Sequence, residues 1–297
     1  MKFALRDDDL NYFYNPAEIE KNYTGIWEIC PVSMSVIPFV KGNWKNNIKI
    51  LDEVGPGIID KTILDEVYSD NSIYPIGDNV ELIDFIKEKI NENKIYLTIH
   101  GIHHRNEDSV LPQFKYNYGS GAEFYTTRDL TNKLSESIQY IENLFDQKVV
   151  VFTPPQNLIN KSGLSALINN NLSICSSLSS LRKIDTISLY GLNNYLKLLY
   201  FRLKNNEILY PYPIVNRKIK IISHFSLQPG KDIRKIFKDF DKVYALNGNF
   251  VLSTHSYGFN IKMKDSQYTM GEIVQDLINY ASTKKNVKFV NLSDCFN

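Results

Sequence analysis

The sequence predicts an α/β fold, a single-domain distorted barrel of about seven parallel strands covered by helices. Two features of the chain support this prediction. Short runs rich in β-branched residues alternate with longer segments whose apolar residues recur at helical spacing, which is typical of parallel β-α units. Several of the short runs also end directly in aspartate, histidine or proline, and the active residues of parallel barrels stand at such strand ends.

The predicted elements follow one another in this alternating order. Strands are expected over residues 2–6, 32–37, 95–99, 149–152, 172–175, 218–223, 250–253 and 287–292. Helices are expected over residues 17–29, 82–90, 130–145, 162–169, 193–203, 232–246 and 270–282. The polar segment 106–125 is too long for a plain connection, so we expect a lid or a binding loop there. No repeat or linker-like stretch divides the chain, and we assign residues 1–297 to one domain.

Composition argues against several classes of protein. Hydrophobic residues at 43% and charged residues at 23% are ordinary for a soluble globular chain. A net charge of +1 predicts no general attraction to nucleic acid or anionic lipid, and no segment has the length and hydrophobicity of a transmembrane helix. Three scattered cysteines predict neither a disulfide framework nor a thiolate zinc site. Acidic residues stand where a signal peptide needs its apolar core, so a cytoplasmic location is expected.

The most informative stretch covers residues 96–105 and reads Y-L-T-I-H-G-I-H-H-R. Its strand leads into His100 and His104, and two imidazoles four positions apart can bind one metal ion when the intervening backbone makes a single helical turn. Gly101 permits the sharp exit from the strand that such a turn needs. The motif alone leaves open the alternative of a polar cluster at a loop. His103 is expected to point away from the other two histidines, as a supporting or surface residue.

Polar or rigid residues follow three other predicted strands. They are the run Asp7 to Asp9, the pair Pro154 and Pro155, and His255. Because the carboxyl ends of parallel strands face one side of a barrel, these residues and the histidine pair are expected in one pocket. Two histidines and one carboxylate leave open positions on a metal ion, as in catalytic rather than structural zinc sites. Taken singly, the aspartates are more typical of a solvated turn, and His224 and His255 of half-buried histidines.

Taken together, these motifs resemble those of the polysaccharide deacetylase superfamily, of the carbohydrate esterase family four type, in a divergent branch. That family has T-F-D-D-G near its N-terminus, H-x-x-x-H in the middle, R-x-P after the next strand and L-x-I-H late in the chain. The counterparts here read R-D-D-D-L, H-G-I-H-H, T-P-P and L-S-T-H, at residues 6–10, 100–104, 153–155 and 252–255. The order and spacing agree from about residue 3 to residue 256, which covers most of the chain.

The resemblance implies a role for each matching residue. The general base would be Asp8, the general acid His255, and the metal ligands Asp9, His100 and His104. The strict family register would instead make Asp7 the base and Asp8 the ligand, and this alternative stays open. The bound ion is expected to be Zn²⁺, although cobalt, nickel, iron and manganese suit similar ligand sets.

The chain departs from the family at the proline segment, where the arginine of R-x-P is missing. Arg6 lies two residues before Asp8 and therefore on the same face of its strand, so we expect Arg6 to supply that charge and to bind substrate. Pro155 and Asn157 are the other expected substrate-binding residues. The oxyanion is expected to receive a backbone N–H from Gln156 or Asn157.

The function implied by the resemblance is that of a metal-dependent hydrolase acting on an acetylated sugar or glycan precursor in surface polysaccharide biosynthesis. An N-acetyl group is preferred to an O-acetyl group as the target. Two other functions stay open. One is an amidohydrolase for a non-sugar amide, and the other is a catalytically silent barrel that binds a glycan or a partner protein. The missing arginine favours the silent barrel, whereas the intact aspartates and His255 favour an enzyme.

Overall fold

A computed structural model describes residues 1–42, 44, 70, 72–105, 122–176, 189–205, 208–216 and 218–297. Of the lid or binding loop expected over 106–125, the part from 106 to 121 lies outside the described residues. Every structural statement below concerns the described ranges.

Twelve strands are present in the described part. They are β1 (Lys2–Leu10), β2 (Val32–Val36), β3 (Phe39–Lys41), β4 (Ile73–Pro75), β5 (Ile95–Ile99), β6 (Val151–Phe152), β7 (Ser173–Cys175), β8 (Ile214–Asn216), β9 (Ile219–Ile222), β10 (Phe225–Ser226), β11 (Asn249–Thr254) and β12 (Lys288–Phe289). Ten of them form one sheet in the order β10-β11-β1-β2-β5-β6-β7-β9-β8, with β12 also paired to β1, while β3 and β4 form a separate hairpin. Among the described strands of the large sheet, only β8 and β9 pair in the antiparallel direction.

Seven α-helices connect the strands in the described part. They are α1 (Pro16–Trp27), α2 (Val80–Asn91), α3 (Thr131–Phe145), α4 (Lys161–Asn169), α5 (Leu189–Lys204), α6 (Ile233–Ala245) and α7 (Met270–Ser282). Each predicted helix has a counterpart, and the apolar stripes read from the sequence face the sheet. In α2, for example, Leu82, Ile83 and Ile86 are buried. The predicted α/β fold with a mostly parallel, distorted barrel is therefore confirmed, with more strands than the sequence indicated.

The large sheet is curled rather than flat. Strands β1 and β7 are four places apart in it, which would be about 19 Å in a flat sheet. The Arg6 side chain on β1 nevertheless donates from Nη1 to the backbone oxygen of Cys175 on β7, at 3.1 Å. An arginine side chain can close that distance only if the sheet bends around it, so Arg6 lies inside the curl.

Alternation along the strands divides the buried residues into two sets. Phe3 and Leu5 on β1 belong to the large core between the sheet and the helices. Ala4 belongs instead to a smaller cluster with Val151, Cys175, Ile222, Val251 and the C-terminal residues Leu292, Cys295 and Phe296. Because side chains two positions apart share a face of a strand, Arg6 and Asp8 continue the inner row that begins at Ala4. The inside of the curl is thus apolar at the amino ends of the strands and polar at their carboxyl ends.

No helix in the described ranges is long and apolar enough to span a membrane. The assignment of residues 1–297 to one domain stays a prediction.

The core between sheet and helices predicts a large stability loss for Phe250→Ala. Phe250 is fully buried, stacks on Phe225 at 4.5 Å between ring centroids, and has Phe3 and Phe240 at 5.4 Å each. Truncating a buried phenylalanine costs about 3–5 kcal/mol of unfolding free energy. Urea denaturation followed by circular dichroism measures it.

Val80→Ala is the control, because Val80 is 66% exposed on α2 and should change stability by less than about 0.5 kcal/mol. Equal losses in the two variants would contradict the described core.

Candidate active site

A bulge near the end of β1 turns two successive aspartates toward the inside of the curl. Normal alternation would send Asp8 inward with Arg6 and Asp9 outward. The pairing of β1 with β2 shifts register between Asp7 and Leu10, and Asp9 has a backbone φ of 78°. An extra residue of this kind bends a strand and re-aims its side chains. Asp9 is thereby brought to the same polar end of the sheet as Asp8.

Asp9 meets the two histidines that the sequence singled out. Its Oδ1 lies 3.1 Å from Nε2 of His100 and 3.4 Å from Nε2 of His104. One ligand atom from each of the three residues lies within 4.8 Å of the others, so they could hold a single metal ion. His100 follows β5 directly, and its backbone N–H donates to Val36 on β2 at 2.7 Å. The site therefore stands at the ends of β1 and β5, the two strands that flank β2 in the sheet.

The hydrogen bonds of His100 fit a metal ligand. Its Nδ1 lies 2.7 Å from the backbone oxygen of Thr153, and a carbonyl oxygen can only accept, so Nδ1 carries the proton. In a neutral ring Nε2 then presents a lone pair to the acceptor-only carboxylate of Asp9. Burial acts to lower the pKa of His100, but the hydrogen bond to Asp9 and the charges of Asp8 and Asp9 raise it, so the 3.1 Å gap between the two atoms is suited to a shared cation, a proton or a metal ion. The donor set therefore fits a divalent transition metal.

His104 presents the same chemistry in a different environment. Burial lowers its pKa to about 3, so its ring is neutral and can act as a ligand. The Trp44 ring stands edge-on to it, 5.1 Å away between centroids. Burial also acts to raise the pKa of Asp9, but the interactions with the His104 and His100 rings outweigh it and lower that pKa. An ionised carboxylate beside a neutral imidazole is the protonation state that metal binding requires.

The loop that carries the histidines is held by a residue that the sequence analysis missed. The buried carboxylate of Glu123 accepts three backbone N–H groups, from Ile102 at 2.8 Å, His103 at 2.8 Å and His104 at 3.2 Å. Gly101 has a φ of 79°, and a Cβ there would lie only 2.2 Å from Oε2 of Glu123. The glycine is thus needed both for the turn and for the space that Glu123 occupies.

His103 has the supporting position that the sequence predicted. Its ring Nδ1 lies 2.7 Å from the backbone oxygen of Phe39, which can only accept a hydrogen bond. The ring thus points toward β3 and away from the Asp9 cluster.

Asp8 belongs to a buried ion pair rather than to the histidine cluster. Its Oδ2 lies 2.6 Å from Nη2 of Arg6, which also donates to Oγ of Ser253 at 2.9 Å. Burial acts to raise the pKa of Asp8, but the Arg6 guanidinium and the nearby His100 and His255 hold it well below its usual range. Its Oδ1 has no hydrogen-bond partner within the described residues. Asp8 is therefore an ionised carboxylate with one oxygen available at the polar end of the sheet.

Asp7 faces the opposite side of β1. Its Oδ1 accepts the backbone N–H of Ser256 at 2.7 Å, and burial raises its pKa to about 8. A carboxyl group that stays protonated at neutral pH suits neither a metal ligand nor a base. Of the two registers left open by the sequence, the geometry favours the one in which Asp8 and Asp9 form the pair.

His255 stands beside Asp9 at the end of β11. Its Nε2 lies 3.6 Å from Oδ2 of Asp9, and its side chain is 21% exposed, more than those of the other two site histidines. The hydroxyl of Tyr257, which the sequence analysis did not single out, lies 3.5 Å from the same oxygen. His255 thus combines contact with the cluster and access to solvent.

His224 is buried on the inner face of the sheet, where the sequence analysis did not place it. It follows β9 on the inner row that contains Ile222, and it is 7% exposed. Burial, and then the Arg6 charge, lower its pKa to about 3. Its Nδ1 has no hydrogen-bond partner among the described residues, so it is not the satisfied histidine that the sequence suggested. Counting inward positions along β9 from the apolar residues could have identified it.

Pro155 and Asn157, the other expected substrate-binding residues, lie in a 3-10 turn after β6. Pro155 borders the histidine loop, because a Cβ on Gly101 would lie 2.8 Å from its Cγ. Gln156 and Asn157 both have a φ of 55°, and Oδ1 of Asn157 is buried without a partner in the described part of the chain. The role of both residues in substrate binding stays a prediction.

No protein-family model matches this chain, and no curated protein sequence matches it either. Its fold is similar to that of 4-alpha-glucanotransferase from Thermococcus litoralis, with a TM-score of 0.50 and 9% identity over 99% of this chain. This chain spans 37% of that protein's length. The similarity supports the curled α/β fold.

Two further solved structures are of the type that the motifs resemble. One is assigned as a polysaccharide deacetylase from Mycobacterium smegmatis, with a TM-score of 0.47, 10% identity and coverage of 99% of this chain and 87% of that one. The other is a family 4 acetyl xylan esterase from Clostridium thermocellum in complex with a cobalt ion, with a TM-score of 0.44, 9% identity and coverage of 99% and 90%.

The contacts of Glu123 predict that Glu123→Gln weakens metal binding. The amide nitrogen would face backbone N–H groups that now donate to a carboxylate oxygen, so the loop and His104 must move. Loss of such an orienting partner costs about 10–100-fold in metal affinity. Titration of the metal-free protein with Co²⁺, followed by its visible absorption, measures the affinity.

Glu142→Gln is the matched control, since the Glu142 carboxylate accepts the backbone N–H of Val149 at 3.0 Å away from the site. Equal Co²⁺ affinity in wild type and Glu123→Gln would show that the loop holds its ligands without this carboxylate.

Proposed function

We propose that this protein is a metal-dependent hydrolase that removes an acetyl group, N-acetyl in preference to O-acetyl, from a sugar or glycan precursor. The observation that carries the proposal is the Asp9, His100 and His104 cluster beside the ionised Asp8. Similar structures assigned as a deacetylase and an acetyl xylan esterase agree with the motifs but do not carry the proposal. We extend it to a role in surface polysaccharide biosynthesis, which rests on the sequence resemblance alone.

Asp9, His100 and His104 would hold the metal, with zinc the ion best suited to two imidazoles and one carboxylate. When bound, such an ion polarises the acetyl carbonyl and acidifies a water molecule. The hydrogen bonding of His100 supports this assignment. Its Nδ1 donates to the backbone oxygen of Thr153, which leaves the Nε2 lone pair of the neutral ring directed toward Asp9.

Asp8 is the proposed general base. Its free Oδ1 can accept a proton from the attacking water, while Arg6 holds Oδ2 and fixes the orientation of the carboxylate. Arg6 thereby takes the part of the arginine missing from the proline segment.

His255 is the proposed general acid, because it is close to the cluster and open to solvent. It would give its proton to the departing amine of an N-acetyl substrate. Pro155 and Asn157 would border the bound sugar beside the histidine loop.

The proposed metal site predicts that replacing both His100 and His104 by alanine abolishes metal binding and leaves the fold intact. Elemental analysis after zinc reconstitution should find about one ion per chain in the wild type and none in the double variant. His103→Ala is the control from the same loop and should keep the ion, because the His103 ring faces Phe39. Stoichiometric zinc in the double variant would disprove the site.

The proposed roles of the aspartates predict different losses. Asp9→Asn should lose most metal affinity, whereas Asp8→Asn should keep the metal and lower kcat by about 10²–10⁴-fold. Asp7→Asn should change neither, because Asp7 lies on the other face of β1. Zinc titration and steady-state kinetics on an N-acetylated oligosaccharide measure both quantities. Loss of metal in Asp8→Asn with full binding in Asp9→Asn would support the strict family register instead.

A substrate panel tests the reaction itself. Zinc-loaded protein should release acetate from N-acetylated sugars faster than from O-acetylated sugars or simple non-sugar amides. Turnover confined to non-sugar amides would make the protein a general amidohydrolase. Bound zinc without turnover of any compound would favour a silent, ligand-binding barrel.

A further inference from the structure

Helix α5 exposes large apolar side chains on the side that faces away from the sheet. Leu192, Leu196, Tyr200 and Leu203 are 52%, 53%, 67% and 77% exposed. Their spacing of four, four and three positions puts them on one stripe along the helix. We call these four residues the α5 stripe. Isolated apolar residues are normal on a protein surface, but a contiguous stripe of them marks an interaction site.

The opposite side of α5 already holds the helix on the protein. Leu198 and Phe201 pack against the main core. Asn194 donates from Nδ2 to the backbone oxygen of Val215 at 3.1 Å, which fixes the helix over the edge strand β8. The α5 stripe is therefore not needed to attach the helix. A helix that is apolar on both sides has a second surface to cover.

Positive charge accompanies the stripe. Residues 189–220 contain six basic residues and one acidic residue, namely Lys197, Arg202, Lys204, Arg217, Lys218, Lys220 and Glu207. At 3.6 residues per turn, Lys197 and Lys204 border the stripe on one side and Arg202 on the other. The net charge of +1 for the whole chain averages over this segment and hides it.

Two kinds of occupant can cover an apolar stripe with basic borders. A second copy of this chain would bring Lys197, Lys204 and Arg202 close to their own counterparts. An anionic lipid surface instead takes the apolar side chains below its headgroups and pairs the basic residues with phosphate. Charge complementarity favours the lipid. We propose that helix α5 docks this protein on an anionic lipid surface, lying in the plane of the headgroups.

Co-sedimentation with lipid vesicles tests the proposal. The full chain should bind vesicles that contain phosphatidylglycerol and phosphatidylcholine, and bind pure phosphatidylcholine at least about ten-fold more weakly. The Leu196→Glu/Leu203→Glu variant should lose binding to the mixed vesicles by about ten-fold or more. Lys197→Gln/Lys204→Gln should reduce the preference for phosphatidylglycerol. Circular dichroism verifies that each variant keeps its helical content.

Val80→Glu is the matched control, because Val80 is 66% exposed on a different helix and should bind as wild type does. Two results would overturn the proposal: undiminished binding of Leu196→Glu/Leu203→Glu, or no binding by wild type. A wild-type dimer in sedimentation velocity that this variant converts to a monomer would assign the stripe to a second copy. These outcomes are independent of the proposed hydrolase activity, since none of the altered residues belongs to the metal cluster.

Discussion

The polar end of this sheet depends on one positive charge held inside it. Arg6 is 1% exposed, and a buried guanidinium is tolerated only where a partner offsets its charge. Asp8 supplies the charge, while Ser253 and the backbone of Cys175 accept further hydrogen bonds. These partners stand on three different strands, so the Arg6 side chain links β1, β7 and β11. The Arg6 guanidinium thus both bridges the curled sheet and favours the ionised form of Asp8.

Asp8 and Asp9 have different partners because the bulge near the end of β1 changes the direction of the Asp9 side chain. Asp8 continues the inner row and faces a guanidinium, whereas Asp9, at a φ of 78°, faces two imidazoles. Asp7 stays on the outer face against the backbone of Ser256 and has a raised pKa. Three identical side chains in sequence are therefore differentiated by their surroundings alone. The backbone path at the bulge decides which carboxylate can bind a metal ion and which can accept a proton.

Much of the site could be predicted because its residues belong to short sequence motifs. The two-residue separation of Arg6 from Asp8 follows from regular strand geometry, and the helices follow from apolar spacing. His100 and His104 do come together, but without the predicted helical turn, since Gly101 and His104 have φ of 79° and 69°. The position of Asp9 could not be derived in this way, since alternation points it outward and only the bulge reverses it. Glu123 was also out of reach, because its role exists only once a distant part of the chain folds back on the histidine loop. Tertiary contacts of this kind leave no periodic pattern in a sequence.

Residues on either side of the segment 106–121 meet beside the histidine loop. Arg105 and Ala122 are paired by an antiparallel bridge, and Glu123 follows immediately to bind the backbone of the loop. The ligand geometry is thus fixed by residues up to 105 and from 122 onward. A shift of the backbone at Ala122 would therefore reach His104 through the carboxylate of Glu123.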